Sequence, residues 1–389
     1  MNKQITSVLL VAGTCIGAGM IALPLALAKL GIIPSLVVML SAWFLTYYPS
    51  LVSVELNLQS EHGLSLGLLG RKFSGKKAEM LGEISVKLLS YALLSAYIYG
   101  GASIIQKLIS NTWTFAVTET VLSGAIIVLL LLPIKIISKV NNMAFIGFIG
   151  LFLLLIVKIV TCIDPAITPW KVSPNLSNVA SIATIVFTSF GYQVIFHTLR
   201  DYCGRNVKML KRAFFYGSII PMVIYMIWTC GVLAVIYKAD KEFYSLIVDG
   251  NVEVGDLVKA LSEIFRFSGL QIVIWWVSIF TILTSIIGVG LGLIESYHLS
   301  LRKKLKYSKL VSAIVTIVPS YIIATIVPNA FIKTLGMAGS ILVVIAIILP
   351  TYLFLKAKIS SPYIHILKKW CLILCLLVGI MLIEAEIFR

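Results

Sequence analysis

The chain has 389 residues, of which 59% are hydrophobic and 12% charged, and its mean hydropathy is +1.02. No water-soluble domain could bury so large an apolar share, so the bilayer must be the solvent for one membrane-embedded unit. The formal net charge of +16 then belongs to membrane topology and anionic lipid headgroups, and nucleic acid is not expected as a partner.

Charge-free runs predict eleven transmembrane helices, in chain order 4–28, 30–54, 88–106, 120–134, 140–157, 172–199, 213–237, 267–294, 310–332, 334–355 and 370–383, a crossing needing roughly 20 apolar residues. The first follows a single Lys3 and has full spanning length, so it reads as a retained helix and not a cleaved leader. The fourth and eleventh are short and borrow their ends, with Glu119, Lys135, Lys369 and Glu384 expected to reach the headgroups. Basic residues crowd every second connection, as with Arg71, Lys72, Lys76 and Lys77, Arg200 to Arg212, and Arg302 to Lys309. That bias predicts a cytoplasmic N-terminus and places the acidic connection 238–266 outside.

Soluble-enzyme motifs fail on their details. GRKFSGKK at 70–77 opens like a phosphate-binding loop, but Lys77 stands where a magnesium-binding hydroxyl belongs and no strand precedes it. Gly288, Gly290 and Gly292 form a ladder inside an apolar run and read as close helix packing. His62, His197, His298 and His365 are scattered, and the six cysteines show no disulfide framework. No enzymatic chemistry, cofactor or metal site is expected.

Helix-breaking residues at mid-span carry more information. The first span holds Gly13-Thr14-Cys15-Ile16-Gly17-Ala18-Gly19 followed by Pro24, and the sixth holds Thr188-Ser189-Phe190-Gly191-Tyr192-Gln193. A discontinuous helix frees donors at one half-helix N-terminus and acceptors at the other's C-terminus, which suit a carboxylate and an ammonium. Breaks five helices apart predict a 5+5 repeat, and an odd number makes the second half inverted.

Four motifs now resemble one family. GTCIGAGMIALP at 13–24, TSFGYQ at 188–193, LTSIIGVGLGLIES at 283–296 and VPNAFIKTLGMAG at 327–339 are similar, in order and at matching spans, to segments of the hydroxy and aromatic amino acid permeases, a branch of the amino acid/polyamine/organocation superfamily. The resemblance implies an all-α membrane protein with the leucine-transporter-like fold. Its inverted repeats would be 1–162 and 163–359, with helices 1 and 6 broken and an eleventh helix appended in 360–389. It also implies import of tyrosine, tryptophan or phenylalanine across the inner membrane, driven by protons, with sodium coupling or uncoupled exchange as alternatives. A channel would show rings of charge or a carbonyl filter, and neither is visible.

Under that likeness, backbone donors of Ile16, Gly17, Ala18 and Gly19 with the Thr14 hydroxyl would hold the substrate carboxylate. The carbonyls of Phe187, Thr188 and Ser189 would take the ammonium, with Gly191 leaving room for the substrate backbone. Tyr97, Phe190 and Tyr192 are candidates for contact with an aromatic guest, and Gln193 for its polar ring atom. The family often has histidine where Gln193 stands, with His197 one turn on, and aspartate where Glu295 stands. Glu295, His197 and the hydroxyl pair Thr284 and Ser285, which resembles a sodium-binding pair of related carriers, are the candidates for ion coupling.

Overall fold

The computed structural model describes residues 3–387 except 18, 61, 110–111, 165, 167, 171–175, 205, 267–268, 302–307 and 358–365. Every regular element among the described residues is helical. Eight helices are long and apolar enough to cross a bilayer, and the pair α1 (Lys3–Cys15) and α2 (Gly19–Leu27), bent by 52° and continued by a 3-10 turn to Leu30, makes a ninth. The long helices are α3 (Ile32–Leu58), α5 (Lys76–Leu108), α7 (Ile134–Cys162), the interrupted α8 (Leu176–Thr188) and α9 (Phe196–Cys203), α10 (Val207–Ala239), α13 (Gln271–Leu301), α14 (Ser308–Ile326) and α15 (Ala330–Val343) running on into α16 (Leu349–Lys356). Shorter apolar helices, α6 (Phe115–Leu131) and the 371–384 part of α17 (Ile366–Ile387), stand where the fourth and eleventh spans are expected. The chain is an all-helical, multi-pass membrane protein.

Local chemistry sets the shorter pieces. Thr114 caps the start of α6, its hydroxyl accepting from the Val117 amide, and Lys309 Nζ donates to the last carbonyls, Leu131 and Leu132, at 3.0 and 2.9 Å. A cation on those free carbonyls stabilises the helix end by about 0.3–1 kcal/mol. α15 and α16 are joined by one π turn, Val344–Ile348, which precedes Pro350. Proline cannot donate back and its ring crowds the carbonyl four residues earlier, so a widened turn there relieves both.

Several expectations are corrected. GRKFSGKK is the end of α4 (Leu66–Ser74), a turn at Gly75 with φ +89°, and the start of α5. The connection 238–266 is largely helical, forming α11 (Lys241–Asp249) and α12 (Val254–Ile264). In the glycine ladder only Gly290 is tight, a Cβ there lying 2.8 Å from Leu130, whereas Gly288 and Gly292 face open space. Glu119 does not reach outward at all: at 1% exposure it is buried inside the bundle.

α5 is the central post. Its stretch from Leu94 to Ile104 is almost wholly buried, and it packs against α15, α13, α14, α12 and α6. α10 braces the other side, lying on α1 and α3. A Cβ on Gly217 would meet Val11 at 2.5 Å, so the two backbones can approach only because no side chain intervenes.

Candidate functional site

The two breaks meet at the centre of the bundle. α1 ends at Cys15 and α2 restarts at Gly19; α8 ends at Thr188 and continues as a 3-10 turn, Tyr192–Ile195, into α9. A Cβ on Gly19 would lie 2.5 Å from Ser189 Oγ, which places one interruption directly against the other. A Cβ on Gly17 would lie 2.8 Å from Ser285 Oγ, so α13 touches the first break as well.

One side chain from α10 addresses both interruptions. The Tyr225 hydroxyl donates to the Cys15 carbonyl at 2.6 Å and lies 3.3 Å from the Ser189 carbonyl, in a fully buried position. One turn on, Trp228 Nε1 donates to the Met20 carbonyl at 2.9 Å. Tyr244 of α11 secures the far end of the α2 segment by donating to the Ala28 carbonyl at 3.1 Å. Burial, with Tyr237 beside it, pushes the Tyr244 hydroxyl up to about 12, so it stays a donor throughout the physiological range. The aromatic tips hold backbone that helix geometry has released.

The expected site residues sort into distinct roles. The Ile16 amide still bonds the Ala12 carbonyl at 3.0 Å, and the Thr14 hydroxyl donates to the Leu10 carbonyl at 2.7 Å, so both complete α1. Ala18 lies outside the described residues. Thr188 Oγ1 lies 2.9 Å from the carbonyls of Thr184 and Leu335, tying α8 to α15, and Phe187 is buried on that same side. Phe190 and Tyr192 are 0% exposed and Tyr97 7%, so the three rings close the centre as it stands. Phe190 packs edge-on against Tyr225 at 5.7 Å, and Tyr192 lies tilted against Phe214 at 5.9 Å. The Tyr97 hydroxyl lies in the neighbourhood of Ser285. A Cβ on Gly191 would meet only the Thr188 carbonyl, at 3.2 Å, and, at 3.8 Å, a Leu342 methyl. Gln193 is 5% exposed, and neither its amide oxygen nor its nitrogen has a partner. A buried primary amide with none of its capacity used is an exception to the rule that buried polar groups are hydrogen-bonded.

The ion-coupling candidates do not converge. Thr284 and Ser285 spend their hydroxyls on α13 carbonyls, Thr284 on Phe280 at 2.9 Å and Ser285 on Thr281 at 2.8 Å, although Ser285 stays beside Gly17. Glu295 is exposed near the end of α13. His197 belongs to α9, where its carbonyl lies against Gly63.

The two ends of the site differ. Toward α12, a cavity of about 600 Å³ opens between α2 and α8, with Lys29, Tyr99, Ser181, Glu253 and Asn329 among its walls. It descends to Ile185, one helical turn from Ser189. Toward α9 the chain is sealed: Arg200 Nη2 donates to the Ser60 carbonyl at 2.6 Å, the Gly63 amide donates to Asp201 at 2.6 Å, and the backbone at Gly63 abuts that of His197.

A bundle with two apposed helix breaks below a polar cavity has the build of a solute carrier, and over residues 1–386 the sequence matches the tryptophan/tyrosine permease family. The chain belongs to that family. It is 29% identical to the tyrosine-specific transport system 1 of Haemophilus influenzae, covering 98% of this chain and 96% of the relative. It is 28% identical to the tryptophan-specific transport protein of Pseudomonas aeruginosa, over 96% and 91% of the two chains, and 28% identical to glutamine transporter 2 of Aliivibrio fischeri, over 90% and 87%. The permease residues that sequence reasoning missed are Tyr225 and Trp228. Their signal was present: two polar-tipped aromatics three residues apart in mid-span must each find a partner at membrane depth.

Proposed function

We propose that this permease is a secondary carrier that imports aromatic amino acids, tyrosine, tryptophan or phenylalanine, across the inner membrane by proton symport and alternating access. The observation that carries this is the apposition of the two helix breaks with the unpartnered Gln193 amide on the turn that follows the second. The amino-terminal end of α2 at Gly17 and Gly19 would hold the carboxylate, and the carbonyls of Phe187 to Ser189 the ammonium. Tyr97, Phe190 and Tyr192 would give way around the ring, with Gln193 on its hydroxyl or indole N–H. Eleven spans in a 5+5 inverted repeat with a cytoplasmic N-terminus complete this reading, which makes the α12 cavity the outer entrance and the Arg200 seal the inner gate.

The names of relatives specific for tyrosine and for tryptophan support an aromatic substrate. The place of Ser285 beside Gly17 favours a second version in which sodium, held by Thr284 and Ser285 against the first break, drives the same transport. Uptake of labelled tyrosine into proteoliposomes, in competition with tryptophan, phenylalanine and leucine, tests the substrate class. Aromatic competitors should suppress uptake and leucine should not; equal suppression by leucine refutes an aromatic site. Gln193→Leu should depress tyrosine and tryptophan transport about ten- to a hundredfold and phenylalanine far less, since polar groups left unpaired are what discriminate.

A further inference from the structure

Glu119 is expected at the headgroups and stands elsewhere. It lies in α6 at 1% exposure, and its Oε1 has no hydrogen-bond partner. One turn further along the same face, Ser123 Oγ is also buried and without a partner. One turn back, Phe115 packs on Tyr99 of α5 with ring centroids 4.8 Å apart, so this face of α6 looks onto Tyr99. The Tyr99 hydroxyl donates to Glu253 at 2.6 Å, and Ser103 donates to the other oxygen of Glu253 at 3.2 Å. Tyr99 and Glu253 line the α12 cavity. Glu119 thus stands behind a tyrosine that a second carboxylate approaches from the water side.

Charged and titratable groups of the neighbouring elements are either paired or lie elsewhere. From α5, Lys107 is paired with Asp256 of α12 at 2.8 Å. From α14, Tyr321 bonds Thr120 at 2.8 Å, and Lys309 caps the opposite end of α6. On α13, Glu295 and His298 lie near its distal end. Lys29 and Lys333 line the cavity with Glu253 and not the space behind Tyr99. No described cation forms an ion pair with Glu119. An ionised carboxylate in that position would be buried without compensation, and the cost is removed by binding a proton. Two orphan oxygens, Glu119 Oε1 and Ser123 Oγ, are far short of the oxygen shell a metal cation requires.

We propose that Glu119 is the proton-binding site of the carrier, loaded from the α12 cavity past Tyr99 and Glu253. The step is a simple transfer: hydronium in the cavity gives up a proton, water is left, and the Glu119 carboxylate becomes the neutral acid. With Glu119 neutral, Glu253 keeps its short bond to Tyr99 and holds α12 on α5, where the Gly255 amide also donates to Ser103 at 3.0 Å. When the proton leaves, two carboxylates face each other across one tyrosine, and their repulsion loosens α12 from α5. The inference rests on the carrier reading above and puts the coupling acid at Glu119, outside the candidates Glu295, His197, Thr284 and Ser285 that the sequence offers.

The test is Glu119→Gln in proteoliposomes, reading counterflow of labelled tyrosine and tryptophan beside their accumulation on a pH gradient. Counterflow should stay within about twofold of wild type while accumulation falls about tenfold or more, the scale of coupling between two sites. Accumulation equal to wild type overturns the proposal, as does wild-type accumulation that follows a sodium gradient at constant pH. Infrared difference spectra of the purified wild type between acidic and alkaline buffer read the site without any variant. A carbonyl band of a dry carboxylic acid is expected, lost in Glu119→Gln, and its absence from the wild type also overturns the proposal. If wild-type vesicles exchange neither amino acid, the aromatic carrier reading fails while the infrared band still decides Glu119.

Discussion

At the α9 end of the bundle, the connection between α3 and α4 lies backbone to backbone on α9, stitched by Arg200 to Ser60 and by Gly63 to Asp201. At the α12 end, the same two broken helices stand apart around a cavity whose polar residues reach across by side chain, as Tyr99 does to Glu253. A backbone seal leaves no room for a solute and releases as a unit. A side-chain rim can rearrange one rotamer at a time. The difference teaches which end is held shut and which is left to adapt, and it follows from local residue choice: glycine at 63 permits contact, whereas long and aromatic side chains around the cavity forbid it.

The largest effect should come from breaking the sealed end. Arg200→Met removes a charged donor from the Ser60 carbonyl, an interaction worth about 1.5–3 kcal/mol, which shifts a two-state balance roughly ten- to a hundredfold. A cysteine placed at Gln193 should then label faster from the α9 side, and uptake should fall correspondingly; unchanged labelling would show that Arg200 does not hold this end closed. A middle effect tests the hinge both ends share. Tyr225→Phe strips the hydroxyl from the Cys15 carbonyl at a cost of about 0.5–1.5 kcal/mol, so half-saturation in counterflow should rise about three- to tenfold with the fold intact. Unaltered half-saturation would mean the released carbonyl needs no partner. The smallest effect is a control on the sealed side. Lys309→Met uncaps α6 and should lower Tm by only about 0.4–1.2 °C with uptake unchanged; a transport defect would extend the seal to α6.

Much of this arrangement was legible from residue patterns. Charge-free runs located the helices because hydrocarbon rejects charge, and the glycine-rich stretch at 13–19 and the small and polar stretch at 188–193 located both interruptions because helix propensity fails there. What escaped was any feature that depends on the partner across the gap. Tyr225 looks like ordinary packing until the Cys15 carbonyl stands opposite it. Glu119 looks like a residue near a helix end, since sequence gives its depth along α6 but not the face it turns to α5. α11 and α12 were hidden by their own charges, which interrupt an apolar count while leaving an amphipathic helix intact. The ladder at 288–292 misled in the other direction, because three glycines on alternate positions cannot all face one neighbour.

The π turn at Val344–Ile348 has a consequence for sequence change in this region. It accommodates one residue more than an α-helical path of the same rise, so the helix before it and the helix after it are out of phase by about 100°, the rotation of one residue. Deleting a single residue within 344–348 would therefore take away the room this turn makes for Pro350, and the proline ring would meet the carbonyl four residues earlier and kink the span. Between Ala330 and Lys356 the length of this turn is therefore tied to the proline that follows it, and the two should change together.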